Sequence, residues 1–447
     1  MNFVALLSSK YFAPLFWTQF LGAFNDNLYK NALIILMTLN ASLYSDISIE
    51  LLIPLSGGLF ILPFFLFSAI AGQLADKFEK SKLIRLVKVA EMLIMLLAAV
   101  GFYLENVWFL LSVLFFMGCQ SSLFGPVKYS ILPQHLSEEG LLKGNAIIEM
   151  GTFLAILIGT LVGGILIAYD MGRMYVSVLV VFVAVLGWFS SLSIPSAPSA
   201  NESLSLNYNI FSQTLGILVN SAKEQLIFGS ILAISWFWFV GATMLSVFPL
   251  PSFIHEVLFA DERVITLLLA LFSIGIGVGS MLAGRSKTLL NSTKWIVIGA
   301  LGLSLSALDL YWTSTQLLAQ HLESAPEALL SWLAMFQSPI TAHALLDVLL
   351  LGISGGLYIV PLYVILQEYS DIKTRSRTIA ANNIVNSLFM VASAIATMIL
   401  LDKGVMVYEL FALLGIINAI IVLLLYWYFS VSIKALLAGC KEVAECQ

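Results

Sequence analysis

Long apolar runs dominate the chain from near its start to near its end. Each run has about 20 or more mainly apolar residues, which is the length that one helix needs to cross the hydrocarbon core of a bilayer. Because the runs are continuous rather than alternating, they favour helices over the strands of a β-barrel. We predict twelve transmembrane helices, at 12–40, 51–75, 83–104, 107–127, 144–169, 174–194, 225–250, 264–283, 295–318, 341–366, 378–401 and 405–432.

The composition of the 447 residues agrees with this pattern. Hydrophobic residues make up 60% of the chain and charged residues 11%, against about 45–50% and about 25% in soluble domains. Too few charges remain to cover a soluble enzyme, and an intrinsically disordered chain is excluded by the same numbers. Three cysteines form neither a disulfide framework nor a zinc-binding spacing. No cleavable signal peptide is expected, because the first ten residues lead directly into an apolar run.

The basic residues predict the orientation in the membrane. If the amino terminus is cytoplasmic, seventeen Lys and Arg residues lie on the cytoplasmic side, including Arg85 and Lys88 at the start of the third helix, against three on the other side. Lys30 is left inside a helix. The excess follows the positive-inside rule, so both termini are predicted to be cytoplasmic.

Two six-helix halves are indicated by a central loop and by a weak internal repeat. The pattern Pro126…Asn145 recurs as Pro361…Asn382, at offsets of 235 and 237 residues. Parallel six-helix halves are typical of major facilitator transporters. We therefore predict an all-α membrane protein with a major facilitator fold, with an N-terminal half at 1–194, a cytoplasmic linker at 195–222, a C-terminal half at 223–433 and a cytoplasmic tail at 434–447.

The first helix carries the densest set of polar residues. Polar groups at membrane depth are costly and are candidate functional residues by default. Asp26 and Lys30 are spaced i,i+4 with the acid first, the favourable order for a helical ion pair, and Asn27 lies beside them. One interpretation is an internal ion pair without a substrate. The other is a polar patch that faces a central cavity.

Further candidates lie in the middle of both halves. Glu149 follows Asn145 by one helical turn, and it either faces the cavity or pairs with Lys128 near the cytoplasmic end. Lys128 and Tyr129 follow a proline, Pro126, that we expect at a helix end; the lysine binds either a substrate phosphate or an anionic lipid. Asn382 and Asn386 share a helix face, and helix-to-helix hydrogen bonding is their alternative role.

A short basic loop after the second helix has the composition of a gate. We expect its Asp to cap a helix or to pair with a basic residue across the bundle, which would hold one face closed. The loop residues predicted to act in gating and structure are Gly72, Asp76, Lys77, Lys80 and Lys82. Three Gly-x3-Gly pairs, at 159/163, 275/279 and 352/356, are expected to let helices pack closely.

Motifs of enzyme chemistry are poorly represented. The chain has no Walker A sequence and no His-Glu-x-x-His. His343 is followed four residues later by Asp347, the nearest match in the chain to the His and Asp of a glycerolipid acyltransferase, but they lie in an apolar run without the loop of an active site. Asp309 and Asp347 occur in apolar runs of the second half, and a substrate role for Asp309 is disfavoured because it is expected near the outer face. No catalytic residue, metal site or cofactor is expected.

The motifs Phe24-Asn-Asp-Asn-Leu-Tyr-Lys30-Asn31, Gly72-Gln-Leu-Ala-Asp76 and Gly125-Pro-Val-Lys128-Tyr129 resemble the bacterial lysophospholipid transporter family. The resemblance continues at Gly144…Glu149 and Pro361…Glu368. It implies a flippase that moves lysophospholipids, chiefly lysophosphatidylethanolamine, from the outer to the inner leaflet of the bacterial inner membrane for re-acylation. It also implies headgroup contacts at Asp26, Asn27, Lys30, Lys128 and Glu149. The seventh helix lacks the arginine that some members carry.

The resemblance also implies partners. These are the lysophospholipid, membrane lipids and a separate lysophospholipid acyltransferase, with no nucleic acid, and the chain is expected to act as a monomer. Trp236–Phe239 either line the path of the acyl chain or face lipid. The alternative function is a proton-coupled major facilitator that exports an amphipathic drug or siderophore and uses Asp26 or Glu149 as its proton carrier.

Overall fold

The structure is a bundle of long α-helices. It is a computed structural model that describes residues 3–39, 49–323, 329–425 and 427. The helices follow in the order α1 Phe3–Leu7, α2 Ala13–Leu39, α3 Ile49–Lys77, α4 Lys80–Leu104, α5 Val107–His135, α6 Glu138–Ile167, α7 Gly172–Leu192, α8 Ile210–Ala222, α9 Gln225–Val247, α10 Arg263–Ala283, α11 Leu289–Glu323, α12 Pro339–Tyr369, α13 Arg375–Asp402 and α14 Glu409–Leu425.

The twelve predicted membrane helices are α2–α7 and α9–α14, six on each side of α8. In the described part of the chain, nine helices are both long and apolar enough to cross a membrane by themselves. The others include α2 and α4, in which Asp26, Lys30, Lys88 and Glu91 interrupt the apolar pattern. The predicted all-helical architecture is confirmed. The domain boundaries stay predictions, and the predicted tail at 434–447 lies outside the described residues.

One end of the bundle carries most of the basic residues, and we call it the basic side. The helices α2, α4, α6, α9, α11 and α13 begin there, and α3, α5, α10 and α12 end there. Short connections join the helices on this side, and polar side chains cap them. Ser137 accepts a hydrogen bond from the Gly140 amide at the start of α6, and Glu79 accepts two amide hydrogen bonds at the start of α4. Such caps satisfy amides that the helix leaves free.

Pro126 does not end a helix, so this part of the prediction is wrong. α5 continues through Pro126 and Pro133 to His135, and α12 likewise continues through Pro361 to Tyr369. Prolines are tolerated in membrane helices because neighbouring groups satisfy the backbone carbonyl that loses its partner. Lys128 and Tyr129 therefore lie within a helix and not in a loop.

The segment between the halves is only partly a loop. Its last thirteen residues form α8, which begins where the Asn209 side chain accepts a hydrogen bond from the Ser212 amide. The preceding residues are held against α3 and α4. The Gln73 side chain exchanges two hydrogen bonds with the Asn207 backbone, each 3.0 Å long. The amides of Ala200 and Asn201 both donate to the Asp76 carbonyl.

Paired glycines bring helices into backbone contact, as their spacing predicts. A Cβ atom at Gly279 of α10 would lie 1.9 Å from the Ile353 carbonyl oxygen of α12. A Cβ atom at Gly356 of α12 would lie 2.2 Å from the Ile276 carbonyl oxygen of α10. A Cβ atom at Gly159 of α6 would lie 2.4 Å from the Phe24 carbonyl oxygen of α2. These contacts hold the polar face of α2 beside α6.

Candidate functional site

The predicted gate residue Asp76 joins the two halves on the basic side. Its carboxylate is fully buried and accepts hydrogen bonds from the Ser376 amide at 3.0 Å and from Arg377 Nε at 2.9 Å. Both donors belong to the first turn of α13. Asp76 thus caps a helix and pairs with a cation across the bundle, and the two alternatives from the sequence occur together. Gly72 makes room for this contact, because a Cβ atom there would lie 2.9 Å from the Arg377 Cα.

The rest of the predicted gating loop has three different environments. Lys80 is buried, Lys77 is half-buried and Lys82 is exposed. Glu79, between α3 and α4, receives hydrogen bonds from Ser81, Lys82 and Ala197. Partial burial raises the pKa of Glu79, but these hydrogen bonds outweigh the burial and hold its pKa below the ordinary value. An ionised Glu79 therefore anchors the linker to the start of α4.

Asn145 forms a second contact between the halves. Its Nδ2 donates to Gln367 Oε1 at 2.8 Å, and Gln367 Nε2 donates back to Asn145 Oδ1 at 2.9 Å. Both side chains are completely buried. Asn145, predicted as a substrate-binding residue, is therefore occupied by Gln367 in this conformation and is released only when α6 and α12 separate.

The contacts between the halves lie toward the basic side. One of them joins Phe153 of α6 to Trp238 of α9, whose rings are 6.1 Å apart. Phe153 is fifteen residues from the start of α6, or about 22 Å along the helix. The bundle is therefore closed on its basic side.

Tyr129 and Glu149 form a buried polar pair within this closed region. Tyr129 Oη donates to Glu149 Oε1 at 2.6 Å, and the Tyr129 ring stacks on Tyr363 of the other half at 4.5 Å. Glu149 Oε2 is buried and has no hydrogen-bond partner. The Lys128 ammonium lies over the Tyr129 ring at 4.4 Å and interacts electrostatically with Glu149 and Asp26. Glu149 is thus buried deep within α6, and its hydrogen-bond partner is Tyr129.

The polar face of α2 does not form the predicted Asp26–Lys30 ion pair. Asp26 Oδ2 accepts a hydrogen bond from Ser121 of α5 at 2.7 Å, whereas the Lys30 ammonium lies 5.7 Å from the centre of the Phe60 ring. The i,i+4 spacing allows an ion pair, but α5 and α3 supply competing partners. Asn27 donates to the Ala23 carbonyl within its own helix.

A buried network next to Asp26 was not predicted from the sequence. Lys88 and Glu91 of α4 form a fully buried ion pair of 2.6 Å. Glu91 also accepts hydrogen bonds from Gln120 at 3.2 Å and from Asn25 at 3.4 Å. The charge pattern places Lys88 among the basic residues near the membrane surface. The missed signal is a Lys and a Glu three residues apart within an apolar run, a pairing expected of charges at membrane depth.

The second half contributes mainly uncharged groups. Asn386 Oδ1 accepts a hydrogen bond from Ser235 of α9 at 2.7 Å. Asn382 is completely buried, and neither of its amide atoms has a hydrogen-bond partner. Trp236 is buried within the half, where it donates to Asn418, and Trp238 donates to Tyr363 at 3.3 Å. Trp236 and Trp238 are therefore directed into the bundle rather than toward lipid.

Together the charged residues of the first half form a polar band across α2, α4, α5 and α6. It contains three carboxylates, Asp26, Glu91 and Glu149, and three ammonium groups, Lys30, Lys88 and Lys128. Lys88 and Glu91 neutralise each other directly. The four remaining groups are two carboxyl and two amino groups whose formal charges cancel, so a ligand with one positive and one negative group leaves the formal balance unchanged.

The sequence comparison identifies the class of protein. The sequence model of the Major Facilitator Superfamily matches residues 15–326, and the chain belongs to that superfamily. Two solved structures share its fold at 12% sequence identity. The human organic anion transporter MFSD10 aligns with a TM-score of 0.70 over 92% of this chain and 98% of its own. An outward-facing bacterial homologue of the iron transporter ferroportin aligns with a TM-score of 0.67 over 94% and 99%.

Curated relatives agree with the resemblance that the motifs indicate. The lysophospholipid transporter LplT of Serratia proteamaculans is 28% identical over 354 residues, which are 78% of this chain and 78% of the relative. LplT of Klebsiella pneumoniae is 29% identical over 370 residues, 81% of each chain. The predicted similarity to bacterial lysophospholipid transporters is confirmed.

Proposed function

We propose that this protein is a lysophospholipid transporter that moves lysophosphatidylethanolamine from the outer to the inner leaflet of the bacterial inner membrane. The observation that carries the proposal is the charge-balanced polar band between α2 and α6. A zwitterionic headgroup has one phosphate and one ammonium group, and the band offers two partners for each. The likeness to LplT proteins supports the same substrate class.

The headgroup contacts follow from charge. The phosphate is bound by Lys30 and Lys128, and the ammonium group is bound by Asp26 and Glu149. The Glu149 oxygen without a partner and the unpaired amide of Asn382 are available to such a ligand, because a buried polar atom without a hydrogen bond costs free energy until it finds one. Tyr129, Asn27 and Asn386 complete the polar surroundings of the headgroup.

Transport requires the closed side to open. With the basic side cytoplasmic, this conformation receives its substrate from the outer leaflet. Release to the inner leaflet then breaks the contacts of Asp76 with α13 and of Asn145 with Gln367, and rocking of the two halves moves the headgroup past Glu149. The acyl chain travels beside the aromatic residues Phe153 and Trp238.

The biological setting follows from the substrate. A lysophospholipid that reaches the inner leaflet has lost one acyl chain, so a separate acyltransferase is its natural consumer. We place both termini in the cytoplasm, on the basic side, and expect a monomer to suffice because the polar band lies within one chain.

The test is uptake of labelled lysophosphatidylethanolamine by spheroplasts that express the protein, with and without a protonophore. We expect uptake that persists with the protonophore and is lost in Asp26→Asn, because that variant removes the charge without removing volume. Asp170→Asn, at an exposed position between α6 and α7, is the matched control and retains uptake.

Two results would contradict the proposal. Equal uptake in expressing and non-expressing spheroplasts would exclude the substrate. Uptake that collapses with the protonophore would favour a proton-coupled transporter, and extrusion of amphipathic compounds would then be measured.

A further inference from the structure

A cluster of three potential metal ligands lies outside the polar band, in the second half. The His343 Nε2 atom of α12 is 3.1 Å from Asp309 Oδ2 of α11 and 3.6 Å from Asp347 Oδ1 of α12. The three ligand atoms all lie within 4.8 Å of one another. His343 and Asp347 are one helical turn apart, so they point the same way, and α11 brings Asp309 to them from 34 residues earlier.

The carboxylate of Asp347 lacks a partner on the side that faces the cluster. Its side chain is 1% exposed. Its Oδ2 accepts a hydrogen bond from Thr313 at 3.0 Å, but its Oδ1, which faces His343, has no hydrogen-bond partner. A buried carboxylate oxygen without a donor is costly, and a neutral imidazole has only one N–H group for the two acids on this face. A cation bound in the cluster would give this oxygen a partner.

We propose that Asp309, His343 and Asp347 bind one divalent transition-metal ion with the preferences of Zn²⁺. Zinc binds imidazole nitrogen at about 2.0–2.1 Å and carboxylate oxygen at about 2.0–2.2 Å, and in a tetrahedral site neighbouring ligand atoms are then about 3.4 Å apart. The two distances from His343 Nε2, 3.1 and 3.6 Å, lie on either side of this value. One imidazole and two carboxylates suit zinc and similar ions better than they suit Mg²⁺ or Na⁺.

The cluster is buried on one side and accessible on the other. Asp347 forms its closed inner part, while the side chains of His343 and Asp309 are 36% and 46% exposed. The opening leaves room for the water or exchangeable ligand that completes a three-residue site. Thr313 positions Asp347 through its hydrogen bond, which is the usual role of a residue behind a metal ligand.

The site connects α11 to α12 near the end opposite the basic side. α12 begins at Pro339 on that side, so His343 lies about one turn inside it. An ion bound to both helices would fix their relative position in the second half. It would leave the contacts at Asp76 and Asn145 unchanged, because those lie at the other end of the bundle.

The experiment is a metal titration of the purified full-length protein without a histidine tag, after treatment with a chelator. Co²⁺ is added first, since its absorption in the visible range reports coordination, and Zn²⁺ is then used to displace it. The variants are Asp309→Asn and His343→Gln. The matched control is His255→Gln, which changes another histidine next to an acid, with its Nε2 3.4 Å from Glu262.

We expect one equivalent of metal per chain in the wild type and in His255→Gln. The affinity should fall at least about tenfold in Asp309→Asn and His343→Gln, and Thr313→Val should weaken binding about tenfold through Asp347. Zn²⁺ should raise the unfolding temperature of the wild type and of His255→Gln but not of the two ligand variants, because it stabilises only the forms that bind it.

Equal binding by the wild type and by Asp309→Asn would overturn the proposal, and so would no binding by the wild type. Asp309 is the safest position for this comparison, because its side chain is partly exposed and its replacement by Asn leaves the buried Asp347 in place.

Discussion

Replacement of Asp76 by Asn should open the basic side of the bundle. Asp76 is fully buried in the first half, and both of its hydrogen-bond donors, the Ser376 amide and Arg377 Nε, come from the second half. The asparagine side chain has nearly the same volume as the aspartate but carries no charge. The contact therefore weakens in the closed conformation, whereas in the open conformation either side chain is hydrated.

The size of the effect follows from the two hydrogen bonds. A hydrogen bond to a charged group contributes about 1.5–3 kcal/mol, and a neutral one about 0.5–1.5 kcal/mol. Loss of the charge from both therefore costs the closed conformation about 3 kcal/mol, or ~100-fold in population. If about 99% of the wild-type molecules are closed on this side, about half of the Asp76→Asn molecules would be closed.

Spin labels on the basic side measure this change directly. Lys82 at the start of α4 and Lys373 before α13 are both exposed and belong to different halves. Labels at cysteines introduced there, in a background without the natural cysteines, should show one short distance in the wild type and a second, longer one in Asp76→Asn. Glu105→Gln is the control, because Glu105 pairs with Arg173 within the first half. An unchanged distance distribution in Asp76→Asn would refute the reasoning.

Three further predictions concern contacts, glycine spacing and pH. Asn145→Ala leaves Gln367 buried without its partner and should cost the closed conformation about 1–3 kcal/mol; the same labels check this, and the effects of Asn145→Ala and Gln367→Ala should not add. Gly279→Ala should lower the unfolding temperature because its Cβ atom would collide with the Ile353 carbonyl, whereas Gly216→Ala, with nothing within 4 Å, should not. The pKa of Glu79 is lowered on folding, so its contribution to stability is present above its ordinary pKa of 4.5 and is lost as the pH falls below that value. When thermal unfolding is measured from about pH 3 to 7, the unfolding temperature should fall more steeply with acid in the wild type than in Glu79→Gln.

The helices were largely predictable because membrane length and backbone hydrogen bonding leave few alternatives. Each of the twelve apolar runs contains a helix, and most of the described bounds lie within a few residues of the prediction, although α5 extends eight residues beyond its predicted end and α6 begins six residues before its predicted start. The prediction failed where a local rule from soluble proteins was applied, as at Pro126, which lies inside α5. Close helix contacts at the Gly-x3-Gly pairs were also predictable, since only glycine lets two backbones approach so near.

The partners of the polar residues were much less predictable. Spacing along one helix placed Asp26 beside Lys30, but the structure pairs Asp26 with Ser121, which is 95 residues away. Lys88 looked like a surface residue near a basic loop, yet it is buried against Glu91. Such pairings depend on how helices rotate and pack against each other, and a single sequence shows only which residues must find a partner.

The most direct test of the central claim uses the purified protein in proteoliposomes. The transbilayer movement of labelled lysophosphatidylethanolamine is compared with that of lysophosphatidylglycerol carrying the same acyl chain and of diacyl phosphatidylethanolamine. The account predicts movement of the zwitterionic lysolipid well above that in empty liposomes, slower movement of the anionic lysolipid and none of the diacyl lipid. Movement of lysophosphatidylethanolamine at the rate of empty liposomes, by protein whose fold and insertion are intact, would contradict it.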